Sequence, residues 1–124
     1  MYFTDLRIYK IGIQLNKEIN QLVSKIPFNW NVPEVGQIKR SSSSVPSNIA
    51  EGFSKRFHQK EFARFLRIAL GSSDETQNHI ILLFNNQHMD EDKYHYFLNE
   101  YKNLSIKILN MIKTIGNNIE IAIH

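Results

Sequence analysis

The side chains with the most chemistry to offer crowd into one part of the chain. Between Gly36 and Arg67 lie Lys39, Arg40, Lys55, Arg56, Lys60, Arg64 and Arg67, opposed only by Glu51 and Glu61, a local excess of +5 in a chain whose formal net charge is +3. The rest of the sequence is therefore slightly acidic, and all of the excess positive charge belongs to this block. On a helix advancing about 100° per residue, Lys60, Arg64 and Arg67 fall within roughly 60° of one another, with Phe62, Phe65, Leu66 and Ala69 centred on the opposite side. Phe57 and His58 follow Lys55 and Arg56, so cations and rings are interleaved as phosphate contacts and base stacking require. The plain alternative is a solvated charged face with Phe57 as a packing residue.

Other chemistry finds less support. The histidines, His58, His79, His88, His95 and His124, include no His-x-x-x-His pair and read as surface residues. Ser44, Ser47 and Ser72 lack the strand-turn-helix context of a nucleophile elbow, and no glycine-rich phosphate loop is present. The chain has no cysteine, which removes disulfides, thiolate metal sites and thiol nucleophiles, and is compatible with a reducing cytoplasm. Glu51 and Glu75 could share a divalent ion for nuclease chemistry, but carboxylates on separate helices also occur in an ordinary polar layer. The expectation is a protein without catalytic residues, metal site or cofactor.

The elements that must position the basic block are helical. With 124 residues, 42% of them hydrophobic, the chain suffices for one core, so residues 1–124 are expected to form a single domain. A first helix is expected after Thr4 or Asp5 as N-cap, with Leu6, Tyr9, Ile13, Leu15, Ile19, Leu22, Val23 and Ile26 near the helical period and Pro27 at its end. The segment PFNWNVP reads as a short connection. A second helix starts at Pro33 and Glu34, where proline is tolerated and an acid suits the dipole. A third spans roughly His58 to Asn86, and a fourth follows Asp90 as cap, with Phe97, Tyr101, Leu104, Ile108, Met111 or Ile112 and Ile115 as its stripe. Four helices with short connections predict an antiparallel up-and-down bundle. No apolar run approaches the ~20 residues that span a bilayer, so a soluble protein with no membrane contact is expected.

SSSSVPSNIAEGF, Ser41 to Phe53, interrupts this pattern with residues that resist a helix interior. Pro46 lacks the amide hydrogen for the Ser42 carbonyl and should kink the helix, with serine hydroxyls compensating the backbone. Ala69, Gly71, Ser72 and Ser73 form a second patch of small residues, so the two helices could approach closely. Alternatively Ser41 to Pro46 unwinds into a loop and Ser47 caps a new helix. Asn48 and Glu51, three residues apart, share a helical face, where Glu51 could meet Arg40, Arg56 or the backbone near Ser72. Gly52 is expected to end the second helix with positive φ.

The stretch QIKRSSSSVPSNIAEGFSKRFHQKEFARFLRIALGSSDE resembles the four-helix-bundle proteins encoded in intervening sequences of bacterial large-subunit ribosomal RNA genes. The matching positions are Gln37, Arg40, Ser44, Val45, Asn48, Ile49, Ala50, Glu51, Gly52, Arg56, Phe65, Leu66, Gly71, Ser72 and Glu75. The resemblance implies an up-and-down bundle that assembles as a ring-shaped homopentamer, with Ser44, Asn48, Glu51, Gly52, Gly71, Ser72 and Glu75 as structural residues of the motif. Relatives include the accessory protein of diversity-generating retroelements, similar in fold, which works with a reverse transcriptase and its RNA. The consecutive apolar run Ile80 to Phe84 exceeds what one helix face buries and adds a reason to expect self-association.

Three functional classes follow. The first is a cytoplasmic, oligomeric, non-enzymatic nucleic-acid-binding protein, RNA-directed, using Lys39, Arg40, Lys55, Arg56, Lys60, Arg64 and Arg67. The second is a scaffold whose basic face docks a reverse transcriptase or another acidic protein. The third is a metal-dependent nuclease.

Overall fold

The computed structural model describes residues 1–123, with side chains described through Gly116. Four helices make the body: α1 (Arg7–Val23), α2 (Pro33–Ser54), α3 (Gln59–Asn85) and α4 (Glu91–Ile123). Single 3-10 turns at Phe3–Asp5 and Phe28–Trp30 precede α1 and α2, and there is no strand among the described residues. His124 lies outside the described residues, and with it any statement about that histidine.

The first helix starts and stops inside its expected limits. Asp5 is not its cap: the carboxylate accepts from the Tyr2 amide at 2.9 Å and closes the 3-10 turn, and Leu6 stands at the N-cap of α1. The helix ends at Val23, and Lys25 and Ile26 turn back with amide bonds to the Leu22 and Val23 carbonyls, so Pro27 follows a turn already made. Asp90 caps the fourth helix as expected, accepting from the Lys93 amide at 2.8 Å.

The core lies between the helices and is built from β-branched and leucine side chains at helical spacing. Leu15, Ile19 and Val23 on α1, Ile38, Val45 and Ile49 on α2, Leu66, Ile80 and Leu83 on α3, and Leu104 and Ile108 on α4 are all buried. Each such side chain contributes about 1.5–3 kcal/mol of transfer free energy. Ile80 and Leu83 of the apolar run are core and Phe84 stacks on Tyr94 with ring centroids 4.1 Å apart, while Ile81 and Leu82 remain only half-buried. The run therefore does not present a wide bare face.

The serine-rich stretch is helix throughout. α2 runs unbroken across Ser41 to Pro46, and the loop alternative does not occur. Its serines distribute by direction. The Ser41 hydroxyl lies 2.8 Å from that of Thr76, and the Ser44 hydroxyl 2.7 Å from that of Ser72, both across the seam to α3. Ser42 turns the other way and accepts from Asn16 Nδ2 on α1 at 3.0 Å. Pro46 is buried, and beside it Gly12 brings α1 close: a Cβ on Gly12 would rest 3.5 Å from Pro46 Cδ, an ordinary contact.

Gly52 lies within α2, and no glycine has positive φ, so it does not end the helix in the left-handed region. Close approach explains it. A Cβ there would sit 3.0 Å from Phe65 Cβ and 3.3 Å from the Phe62 carbonyl oxygen. Gly71 behaves oppositely: it is exposed and nothing lies within 4 Å of its would-be Cβ, so it takes no part in helix contact. Along the α2–α3 seam the partners descend on one helix as they ascend on the other, from Ser41 with Thr76 through Ser44 with Ser72 to Gly52 with Phe62.

Candidate nucleic-acid interface

The short connection between α2 and α3 gathers most of the basic block at one end of the seam. Lys55 to His58 form a hydrogen-bonded turn, with the Lys55 and Arg56 amides donating to the Gly52 and Phe53 carbonyls and the His58 amide to the Lys55 carbonyl at 2.8 Å. Lys60, Arg64 and Arg67 then rise along the first turns of α3, all exposed, while Phe62, Leu66 and Ala69 are buried on the other side. The helical period thus separates cations from core as the spacing predicts.

The cations differ in how free they are. Arg64 holds Glu61 in a two-point fork, Nε to Oε1 and Nη2 to Oε2, both at 3.1 Å, and its guanidinium lies 4.4 Å over the Phe65 ring. The hydrogen bond from Arg64 lowers the Glu61 pKa, and the same bond raises that of Arg64. Arg56 stands between two rings, 4.4 Å from the Phe53 centroid and 4.6 Å from that of Phe57, and donates to the Phe53 carbonyl at 3.1 Å. Lys55 reaches Glu51 at 3.7 Å in a solvent-exposed pair of little energetic weight. Lys60 and Arg67 have no acidic partner among the described residues. Phe57 is not a packing residue: it is 83% exposed at the tip of the turn.

Lys39 and Arg40 are elsewhere. They occupy the second turn of α2, sixteen residues before Lys55, or about 24 Å along the helix at 1.5 Å per residue. The single block of the sequence is two sites in space. With Lys39 and Arg40 the structure also brings together Phe28, an exposed aromatic from the PFNWNVP connection, while Trp30 of the same connection is exposed with its ring 6.0 Å from that of His88. Nothing in that connection's spacing pointed to a site, although two large aromatics between prolines, outside any helical stripe, were the available signal.

The motif residues divide into seam and surface. Asn48 Nδ2 donates to both the carbonyl and the hydroxyl of Ser44 at 2.9 Å, so Asn48, Ser44, Ser72 and, by contact, Gly52 line the α2–α3 seam. Glu51, Gly71 and Glu75 face solvent. Glu51 meets Lys55 rather than Arg40, Arg56 or Ser72, and Glu75 meets His79, whose Nε2 is 3.4 Å from Oε1. Because Ser44 pairs with Ser72 and Ser41 with Thr76, Glu75 sits near the level of Ser41, about 15 Å along α2 from Glu51. That separation does not suit a shared metal ion. Among the described residues no group of three or more His, Asp and Glu is arranged to hold one.

His79 departs from the surface reading of the histidines. It is buried between helices, with Nδ1 lacking a partner. His58 and His95 are exposed and His88 half-exposed.

With the bundle and its serine seam in view, the comparison with known proteins is direct. The family model for the 23S rRNA-intervening sequence protein matches residues 4–110. The chain belongs to that family. The matched span takes in α1, α2, α3 and most of α4, so the family signature is the bundle itself. Among solved structures, the chain is similar to a protein with unknown function from the S23 ribosomal protein family of Bacteroides thetaiotaomicron, with a TM-score of 0.76. The likeness covers 86% of this chain and 98% of that one at 20% identity, which speaks for the fold alone. No curated protein matches the chain. For this 23S rRNA-intervening sequence protein family member, no helix among the described residues is long and apolar enough to cross a membrane.

Proposed function

We propose that the chain is a non-enzymatic nucleic-acid-binding protein, RNA-directed, working in the cytoplasm as an oligomer of antiparallel bundles arranged in a five-membered ring. The observation that carries this reading is the basic turn: Lys55, Arg56, Lys60, Arg64 and Arg67 converge at one end of the α2–α3 seam with only Glu51 and Glu61 to offset them. Lys60 and Arg67 have no acidic partner among the described residues, and the exposed ring of Phe57 stands beside them with Arg56 against it. Cations free of internal partners are available for phosphates, and the gain on binding is the release of counterions. The family's association with intervening sequences of 23S rRNA supports RNA as the target. The opposite order of partners along α2 and α3 supports the antiparallel arrangement.

For self-association the supporting surface is α4. Ile106 and Leu109, one turn apart, are exposed, with Ile106 56% accessible. Apolar side chains repeated on one helical face suit a neighbouring subunit. A ring would repeat the basic turn around its rim and bind by avidity.

The decisive measurement is a salt titration of RNA binding. Wild type should lose affinity steeply with salt, with a log-log slope near −0.7 per phosphate contact for single strands. Replacing Lys60, Arg64 and Arg67 together with glutamine should flatten the slope and weaken all sequences about equally, since phosphates carry no base information. A triple variant that keeps its circular dichroism and mass yet binds RNA and DNA as wild type does would make the turn a mere solvated surface and defeat the proposal.

A further inference from the structure

At the end of α2 away from the basic turn, the last residues of α1, the connection around Phe28 and the first two turns of α2 enclose an open cavity of about 800 Å³. Its lining is largely apolar, from Val23, Ile26, Phe28, Val32 and Val35, and is completed by Lys39 and Arg40. Neither cation has an acidic partner among the described residues. Gly36, also in the lining, leaves room for Arg40 to lie back along the helix, its Nη1 only 3.3 Å from where a Cβ would stand. The guanidinium thereby lies beside the cavity wall.

Phe28 supplies the other half of the site. Its side chain is 96% exposed although it lines an apolar cavity, so the ring is bare. Its backbone is fixed, since the 3-10 turn closes with the Trp30 amide on the Pro27 carbonyl at 3.1 Å and the Asn31 amide on the Phe28 carbonyl at 3.2 Å. A bare ring on a fixed backbone is available for stacking. Two unpaired cations beside it call for an anion.

We propose that this cavity takes one unpaired nucleotide of a single-stranded nucleic acid, its base stacked on Phe28 against the apolar wall and its phosphates on Lys39 and Arg40. The inference rests on the nucleic-acid reading above and adds a base-binding site to it. Stacking on a protein ring requires a base that is free of its own stack, so a duplex cannot fill the cavity. The basic turn contacts phosphates, which both forms carry. Strand state is therefore discriminated at the Phe28 cavity and bulk affinity is supplied at the turn, about 24 Å away along α2.

Trp30 makes the test possible. It is the sole tryptophan of the chain, exposed and two residues from Phe28, with its ring 6.0 Å from that of His88, so its emission reports on the connection beside the cavity. Anisotropy and Trp30 emission would be followed with a short unstructured RNA, with the same sequence as duplex, and with adenosine monophosphate alone. The proteins compared would be wild type, Phe28→Ala, and the Lys60, Arg64, Arg67 glutamine variant. Phe28→Ala should keep its circular dichroism, lower single-strand affinity by about 5- to 150-fold and leave duplex binding unchanged. Single-strand RNA should shift Trp30 emission in the wild type, and duplex should not. If Phe28→Ala binds the single strand as wild type does while the glutamine variant does not, the base site is wrong and the basic turn stands. If wild type binds neither RNA, both readings fall. If adenosine monophosphate shifts Trp30 through Phe28 but the strand binds no better than the duplex, the cavity is a mononucleotide site and the strand proposal is overturned.

Discussion

Gly52 shows at the scale of one residue how a glycine inside a helix can be required for space. Its would-be Cβ lies 3.0 Å from Phe65 Cβ, 3.2 Å from Phe62 Cδ1 and 3.3 Å from the Phe62 carbonyl oxygen, contacts so tight that α3 would have to give way slightly. Gly52→Ala should therefore destabilise the chain by about 1–3 kcal/mol in spite of alanine's better helix propensity. Gly71→Ala, with nothing within 4 Å, should gain up to about 1 kcal/mol. Urea denaturation of the two variants side by side checks both signs. Tyr96 offers a pH test at the same scale. Its hydroxyl donates to Glu18 Oε1 at 2.8 Å, and this bond, with burial and the Glu18 charge, raises the pKa from 10.0 to about 12. The folded value stands above the unfolded one, so the stabilisation is complete below about pH 10 and is lost as pH rises toward 12. A phenolate titration of wild type minus Tyr96→Phe should show the raised pKa, and Glu18→Gln should bring it down. An unshifted difference titration would mean that the Glu18 bond does not form in solution.

At the scale of elements, α2 is fastened on both sides by hydroxyls where large side chains would ordinarily fill the space. Ser42 bonds Asn16 on α1, while Ser41 and Ser44 bond Thr76 and Ser72 on α3. A second polar group joins α3 to α4, where the Ser105 hydroxyl lies 2.7 Å from that of Ser73 and 2.8 Å from Asp74 Oδ1. Where the seam is buried, as at Ser41 with Thr76, losing one partner strands the other and costs more than making the bond gains. Thr76 is fully buried, and Thr76→Val keeps its shape while removing the hydroxyl beside Ser41 and the Ser72 carbonyl. The expected loss is about 1–3 kcal/mol, read as a lower urea midpoint with an unchanged m-value. Equal stability of Thr76→Val and wild type would mean that the seam holds by packing alone.

For the whole molecule, the distribution of surface separates functions by position. Cations lie at the α2–α3 turn and at the first turns of α2, while the exposed apolar pair Ile106 and Leu109 lies on α4. If α4 meets a neighbouring subunit, replacing Ile106 and Leu109 together with glutamate should reduce the particle to a monomer while keeping helicity, because neither side chain belongs to the buried core. Light scattering of wild type and variant decides this. A wild type that is monomeric across micromolar concentrations, or a variant with wild-type mass, would remove α4 as an assembly surface. Nucleic-acid affinity of such a monomer should fall by more than the loss of any one contact, because avidity goes with the ring.

Periodicity alone determined that this chain is four helices, since the stripes Leu15, Ile19, Val23 and Leu104, Ile108, Ile115 repeat at helical spacing and are found buried. It also determined that Lys60, Arg64 and Arg67 face solvent, because a helical wheel fixes which residues share a side. The motif of Ser44, Asn48, Gly52 and Ser72 carried the family, which the match over residues 4–110 establishes. Tertiary structure decided what local rules could not. Whether Gly52 served conformation or contact depended on how near Phe62 and Phe65 came, a distance set by α3 and not by residues around position 52. Proline and serine propensities left both a kinked helix and an unwound loop open at Ser41 to Pro46, and the stretch is helix, with partners on two other helices. His79 was hidden by packing that a scan for ligand spacing does not see. And one run of positive charge in the chain became two sites because α2 is one continuous helix about 33 Å long, carrying Lys39 and Arg40 to a cavity that they line together with the end of α1 and the connection at Phe28.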